Sequence, residues 1–308
     1  MAGPKVTVLI LSYNGKYLLE DSLTSYLAND YENFEVVVID NGSSDGTMEY
    51  VKSAFPSVKT IRAEKNLGYS GGFNLGLKYA FEEVHSPYVL ISNNDLRADS
   101  RVISELVKIM ASDSMVGFVT GKVYYFDQPD TLQTVGKYED PIIWNGNHIG
   151  GGEKDNGQYD QVSERVFADD VYTMVRKELY DAVGGYDSTF FLQSEEYDWQ
   201  ARGKNAGFKI MYTPFAKVWH KESMTIGKRS PLKAYYNARN PMLVILIHRS
   251  PEFFKRYFWH HLMNGVVLDS LRAARRFQFA TAMKIWQGFL SGVFWGLRSH
   301  RLTLSHII

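Results

Sequence analysis

Three short clusters carry residue types that could do chemistry. Asn93-Asn94-Asp95 sets two carboxamides beside a carboxylate. Oxygen ligands of this kind suit Mg²⁺ or Mn²⁺, hard cations that take few protein ligands and can neutralise a departing diphosphate. The same triplet also makes an ordinary turn. Glu195, Glu196 and Asp198 crowd three carboxylates into one stretch, where each raises its neighbours' affinity for protons. One of them can act as general base toward a hydroxyl nucleophile, or the cluster can complement the dipole at a helix start. His220, between Trp219 and Lys221, is either a nitrogen ligand or a packed core imidazole. The chain has no cysteine, so disulfides and thiolate metal sites are excluded.

Such clusters must be positioned by a scaffold, and the first hundred residues supply one. Continuous apolar runs at 6–11, 35–39 and 88–92 read as strands buried on both faces, with a further strand at 58–62. Helical spacing follows at 17–27, 47–54 and 74–84. Alternation of this kind predicts an α/β fold, a mostly parallel open sheet with helices on both faces. Ligands bind such sheets beyond the carboxyl ends of the strands. Ser12-Tyr13-Asn14, Asp40-Asn41-Gly42-Ser43 and Asn93-Asn94-Asp95 all fall at such ends. Residues 121–157 have weak periodicity and many turn residues, which predicts an irregular, partly mobile lid or acceptor loop. The last 80 residues read as a C-terminal helical extension punctuated by Pro231, Pro241 and Pro251.

The 308 residues carry no formal net charge, yet the charge is unevenly placed. From Lys228 onward thirteen Lys and Arg face two acids, Glu252 and Asp269, which leaves 21 basic and 32 acidic residues to the remainder. An acidic body thus joins a basic, aromatic tail. No signal peptide is evident at the start, and no apolar run approaches the roughly 20 residues that span a bilayer. The expectation is a cytoplasmic protein.

Motif absences narrow the chemistry. There is no G-x-G-x-x-G and no G-x-x-x-x-G-K-[ST], which argues against dinucleotide-dependent dehydrogenases and P-loop NTPases. The Gly-rich stretch from Asn66 through Gly71 and Gly72 to Asn74 opens a helix whose amides could meet phosphate or sugar oxygens.

Taken together and in order, these residues resemble family 2 glycosyltransferases with the GT-A fold, in the rhamnosyltransferase-like and galactofuranosyltransferase-like branch. The resemblance spans about residues 5–223. It rests on the run from Val8 to Asn14, Asp40-Asn41-Gly42-Ser43-Ser44-Asp45-Gly46-Thr47, Asn66-Leu67-Gly68, Asn93-Asn94-Asp95, Gly184-Gly185-Tyr186-Asp187, Glu195-Glu196-Tyr197-Asp198 and Trp219-His220-Lys221-Glu222-Ser223. It implies a catalytic domain over 1–227, with a nucleotide-binding half of about 1–98 and an acceptor half of about 99–227, followed by the basic region 228–308. It implies that Ser12, Tyr13 and Asn14 line the nucleotide site and that Asp40 and Asn41 contact base or ribose, with Ser43, Asn66, Gly71, Gly72 and Asn94 completing the donor site. Asn93 and Asp95 would take the outer positions of a D-x-D metal motif holding Mg²⁺ or Mn²⁺, with His220 as a further ligand. Glu196 would be the general base, flanked by Glu195 and Asp198. Two departures stand out: Asn93 replaces the first Asp of D-x-D, and Glu196 stands where many relatives carry Asp.

The implied reaction is inverting transfer of a sugar, rhamnose from dTDP-rhamnose first and a UDP-sugar second, to a saccharide or lipid-linked acceptor. Alternatives are a sugar-nucleotide pyrophosphorylase-like enzyme and a non-catalytic sugar-nucleotide-binding module. In the tail, Gly288, Gly292 and Gly296 recur every four residues and suit close helix packing. Its basic and aromatic residues suit an anionic membrane surface, a homodimer through the C-terminal helices, or simple packing on the catalytic domain. No nucleic-acid motif accompanies the charge.

Overall fold

The computed structural model describes residues 3–221, 230–303 and 306. The expected boundary between 227 and 228, and the motif residues Glu222 and Ser223, lie outside the described residues.

Strand and helix alternate through the first third: β1 (Val6–Ser12), α1 (Leu19–Leu27), β2 (Phe34–Asp40), α2 (Thr47–Ala54), β3 (Lys59–Arg62), α3 (Gly68–Lys78) and β4 (Tyr88–Ser92). Next come β5 (Leu96–Ala98), α4 (Val102–Ser112), β6 (Val116–Tyr125) and β7 (Gln128–Thr134). A small hairpin, β8 (Lys137–Asp140) with β9 (Trp144–His148), precedes β10 (Ser163–Glu164), β11 (Tyr172–Arg176), α5 (Lys177–Val183), α6 (Glu195–Asn205) and β12 (Lys209–His220). Helices α7 (Pro231–His248), α8 (Pro251–His260), α9 (Asp269–Arg275) and α10 (Phe279–Arg298) complete the chain.

Alternation of side chains along each strand feeds two cores. From β1, Val6, Val8 and Ile10 join Leu19, Leu23 and Tyr26 of α1 and Leu106 and Met110 of α4 on one face. Leu9, with Val37 and Ile39 of β2, faces Phe73 and Leu77 of α3 on the other. Each such buried aliphatic side chain is worth roughly 1.5–3 kcal/mol relative to exposure, which is why these runs occupy the sheet centre. The sheet order is β10-β12-β6-β11-β4-β1-β2-β3. Pairings β3-β2-β1-β4 and β6-β12 are parallel, while β11 inserts antiparallel between β4 and β6. The sheet is therefore mostly parallel with helices on both faces, as the alternation predicts.

Two expectations are corrected. Residues 121–157 are not an irregular loop: they hold the end of the ten-residue strand β6, then β7 and the β8-β9 hairpin. Gly121 and Lys122 break the apolar pattern in β6, but each has a packing reason. A Cβ at Gly121 would collide with the Ala216 carbonyl oxygen and the Tyr172 hydroxyl. Buried Lys122 bonds Asp155 and Asp160, each at 2.6 Å. The helix expected at 74–84 begins earlier, at Gly68, and ends in a π-helical stretch over Tyr79–Glu83.

The C-terminal helices share a core with the preceding part of the chain: Met242, Leu243, Phe254, Phe258 and Phe289 pack with Phe167, Phe190, Tyr197 and Ala201. Pro231 and Pro251 start α7 and α8 at positions where a missing N–H costs nothing, whereas Pro241 lies inside α7. The glycine face of α10 is used within the chain. Gly288 abuts the Tyr235 carbonyl and Gly292 touches Met242, both on α7.

Candidate active site

β1 lies between β2 and β4 with Ser12 opposite Asp40 and Ile10 opposite Ser92, so three carboxyl ends open on one edge. Asn94 Nδ2 donates to Ser12 Oγ at 3.3 Å and ties the β4 end to the β1 end. Directly after, β5 pairs antiparallel with the end of β12, which sets His220 opposite Leu96. The Lys221 amide donates to the Asp95 carbonyl at 2.9 Å. Strand pairing thus brings together two residues that are remote in sequence: His220 Nε2 stands 3.0 Å from Asp95 Oδ1, both side chains nearly buried.

The imidazole is oriented by Gln133 of β7, whose Oε1 lies 2.9 Å from His220 Nδ1. Nδ1 donates to that oxygen, which turns Nε2 toward the Asp95 carboxylate. One carboxylate oxygen and one imidazole nitrogen are donors that a divalent cation could take. Among the described residues no group of three or more His, Cys, Asp or Glu could hold a metal ion. Asn93 lines the same cleft.

That cleft measures about 480 Å³, and its wall includes Tyr13, Asn41, Asn66, Asn93, Asn94, Asp95, His220, Glu195 and Glu196. The last two come from the start of α6, which follows Gln193 and Ser194 in left-handed conformations (φ 71° and 72°). Such conformations cost on the order of 1–3 kcal/mol each for non-glycine residues and must be held from outside. Asn240 of α7 does so, donating through Nδ2 to the Leu192 and Gln193 carbonyls, each at 2.8 Å.

Residues missed by sequence reasoning surround the glutamates. Lys137 of β8 places Nζ 3.3 Å from Glu196 Oε1 and 3.2 Å from Asp169 Oδ2, over the Tyr197 ring. His148 Nδ1 meets the same Asp169 oxygen at 3.3 Å. Burial opposes the charge on Lys137, yet Asp169, Tyr197 and Glu196 outweigh it and hold the ammonium's pKa well above its usual value. Burial likewise opposes the Asp169 carboxylate, but Lys137 and His148 keep its pKa low. Glu195 is different: burial first, then the charges of Glu196 and Asp170, push its pKa well above the carboxylate range, and its Oε2 is buried without a hydrogen-bond partner. Asp170 is raised in the same way, by burial and then by Glu196. The one sequence signal for this wall is the acidic doublet Asp169-Asp170 before the buried strand β11. Gln133, Lys137 and His148 carry none, because the β-structure that delivers them was itself not legible.

Other expected site residues frame the cleft from behind. Asn14 accepts from the Ser44 amide (2.9 Å) and donates its own amide to Ser43 Oγ (2.9 Å), clamping the loop after β2 to the loop after β1. Gly42 (φ 81°) crosses so close to Lys65 that a Cβ would lie 2.6 Å from its carbonyl carbon. Asp40 Oδ1 accepts from the Ser43 amide at 2.9 Å. Its Oδ2 is buried without a hydrogen-bond partner, 3.7 Å from Arg62 Nε. The Asn41 carboxamide is committed to Leu67 (3.0 Å), Gly68 (2.9 Å) and Asn66 (3.2 Å).

Seven expected residues, Ser12, Asn14, Asp40, Ser43, Gly71, Gly72 and Asp198, do not line the cleft. Gly71 and Gly72 lie within α3, where a Cβ would press on Leu67 and on Leu11 respectively. The amides of Leu67, Gly68 and Tyr69 are already taken by Asn41, Asn66 and the Phe191 carbonyl, so this turn is not a phosphate cradle. Asp198 turns away from Glu196 to bond Arg202 (2.8 Å) and His248 (2.9 Å), anchoring α6 to α7. Burial opposes its charge, but His248 and Arg202 outweigh burial and keep its pKa low.

The mostly parallel sheet with helices on both faces is a GT-A glycosyltransferase architecture, with Asp95 and His220 at the end of β4 and Glu196 on the facing helix. Solved structures agree in fold. A mannosyltransferase from Pyrobaculum calidifontis, in complex with GDP-Man and Mn²⁺, superposes with a TM-score of 0.55 at 17% identity, covering 98% of this chain and 82% of that one. GalNAc-T7, with UDP, GalNAc and Mn²⁺, gives 0.57 at 13% identity over 85% of this chain and 57% of that one. The sequence description of Glycosyl transferase family 2 matches residues 7–184, and the chain belongs to that family. A poly-beta-1,6-N-acetyl-D-glucosamine synthase of Staphylococcus aureus (strain COL) is 25% identical over 227 residues, 72% of this chain. The chain spans about half (51%) of that relative's length.

Proposed function

We propose that the protein transfers a sugar, with inversion, from a nucleoside-diphosphate donor to a hydroxyl of a saccharide or lipid-linked acceptor. The observation that carries this reading is the union, in one cleft, of the Asp95-His220 pair with Glu196. Asp95, His220 and Asn93 would hold Mn²⁺ or Mg²⁺, and a divalent cation there would neutralise charge developing on the leaving diphosphate. Two close protein donors leave most of the shell to phosphate, so metal and donor bind together. Tyr13, exposed at the cleft, offers a ring to the nucleobase. Glu196 takes the proton of the acceptor hydroxyl as that oxygen attacks the anomeric carbon. Glu195 is the poorer base because burial and the charges of Glu196 and Asp170 favour its protonated form. The reading assigns the enzyme to the cytoplasm.

The donor stays open between dTDP-rhamnose and UDP-sugars, and the staphylococcal relative adds N-acetylglucosaminyl donors to the candidates. A thermal-shift panel of sugar nucleotides, with and without Mn²⁺, tests the reading. The true donor with metal raises the melting temperature as mass action requires, about 2.7 kcal/mol at a hundredfold excess over Kd. Failure of every nucleoside diphosphate and sugar nucleotide to stabilise the fold would remove the reading.

A further inference from the structure

Among the described residues, eleven of the twenty large apolar side chains left exposed fall between Trp259 and Leu297. On α10 they are Phe279, Met283, Trp286, Leu290, Phe294 and Leu297, which recur at three- and four-residue steps and so share one face. All six are 38–64% exposed. The opposite face, with Gly288, Phe289 and Gly292, is buried against α7 and its neighbours. A helix already packed through its small-residue face has no internal need for a second, large-residue face. The outer stripe is extended by Leu271 on α9 and by Phe277, which is 84% exposed in the turn between α9 and α10. Arg275 and Arg276 stand just before the stripe, and Arg298 and Arg301 just after it, all exposed.

We propose that the outer face of α9 and α10 docks on a bilayer rich in anionic phospholipid, with the six apolar side chains among the acyl-chain ends and the flanking arginines on lipid phosphates. Charge complementarity selects this occupant over a second copy. A two-fold pairing through this face would set like-charged arginine clusters against each other, whereas an anionic surface attracts each basic residue by about 1 kcal/mol. None of the helices among the described residues is long and apolar enough to cross a membrane, so the contact is interfacial. The proposal is independent of the transfer chemistry.

The test is detergent-free flotation of the whole chain with vesicles of equal parts phosphatidylcholine and phosphatidylglycerol, and with phosphatidylcholine alone. The chain co-floats with the anionic vesicles, and binding weakens as salt shortens the screening length from about 10 Å at 0.1 M to about 3 Å at 1 M. The double variant Leu290→Ser, Phe294→Ser, whose thermal melt checks that it folds, binds about tenfold less tightly. Arg275→Gln with Arg276→Gln lowers anionic binding and its salt dependence. No flotation at low salt, equal flotation of the serine variant, or a stable dimer that this variant converts to monomer would each overturn the proposal. Donor turnover with a soluble acceptor is measured separately, so loss of one property does not mimic loss of the other.

Discussion

At the scale of single residues, the site divides carboxyls by environment. Glu196 meets the cleft and Lys137, whereas Glu195 is buried with an orphaned oxygen and an elevated pKa. Because the folded state keeps the Glu195 proton to higher pH than the unfolded chain, folding stability falls as pH rises from the unfolded value of about 4.3 toward the folded one. The Glu195→Gln variant lacks this loss. Its stability relative to the native protein, measured by urea unfolding at pH 5 and pH 7, improves with pH by up to about 1.4 kcal/mol per unit. An unchanged difference across that range would show that Glu195 is ionised in the folded protein. Asp95, His220 and Glu196 stand out in the sequence as three motifs that the family resemblance joins. Arg202 lies one helical turn from Asp198, but His248 is brought to it by the docking of α7, which spacing does not show. Lys137 was hidden for the same reason: its neighbours Asp169 and Glu196 come from distant strands and loops.

At the scale of elements, legibility followed the strength of the local period. The runs at β1, β2 and β4 are unbroken and were read correctly, whereas β6 was lost at Gly121 and Lys122, whose reasons for being there are tertiary. The four-residue glycine spacing of α10 announced a close helix contact without naming the partner, which is α7. The two glycines facing α7 are not equivalent. A Cβ at Gly288 would strike backbone, the Tyr235 carbonyl, while one at Gly292 would lie 3.3 Å from the flexible Met242 sulfur. Gly288→Ala should therefore cost about 1–3 kcal/mol through overpacking. Gly292→Ala should be close to neutral or stabilising, since alanine gains up to about 1 kcal/mol in helix propensity. Chemical denaturation of the two variants checks the contrast, and equal costs would mean that α7 and α10 do not approach as described.

At the scale of the whole molecule, the basic C-terminal region is no independent tail. Its α7 supplies Asn240, which holds the strained loop before Glu195, and His248, which holds Asp198. Its α10 closes the core over α7 and turns a second apolar face outward. The charge asymmetry was legible by counting, but its structural use was not, because the count does not say which face carries it. The chain as a whole is then an acidic body braced by basic helices, and the proposed transfer turns on Glu196. The most direct measurement is nucleoside diphosphate release in the presence of donor, acceptor and Mn²⁺, compared among the native chain, Glu196→Gln and Asp95→Ala. Loss of the base lowers turnover by about 10²–10⁴-fold while donor-induced thermal stabilisation persists, and loss of Asp95 lowers both. Near-native turnover by Glu196→Gln would contradict the account.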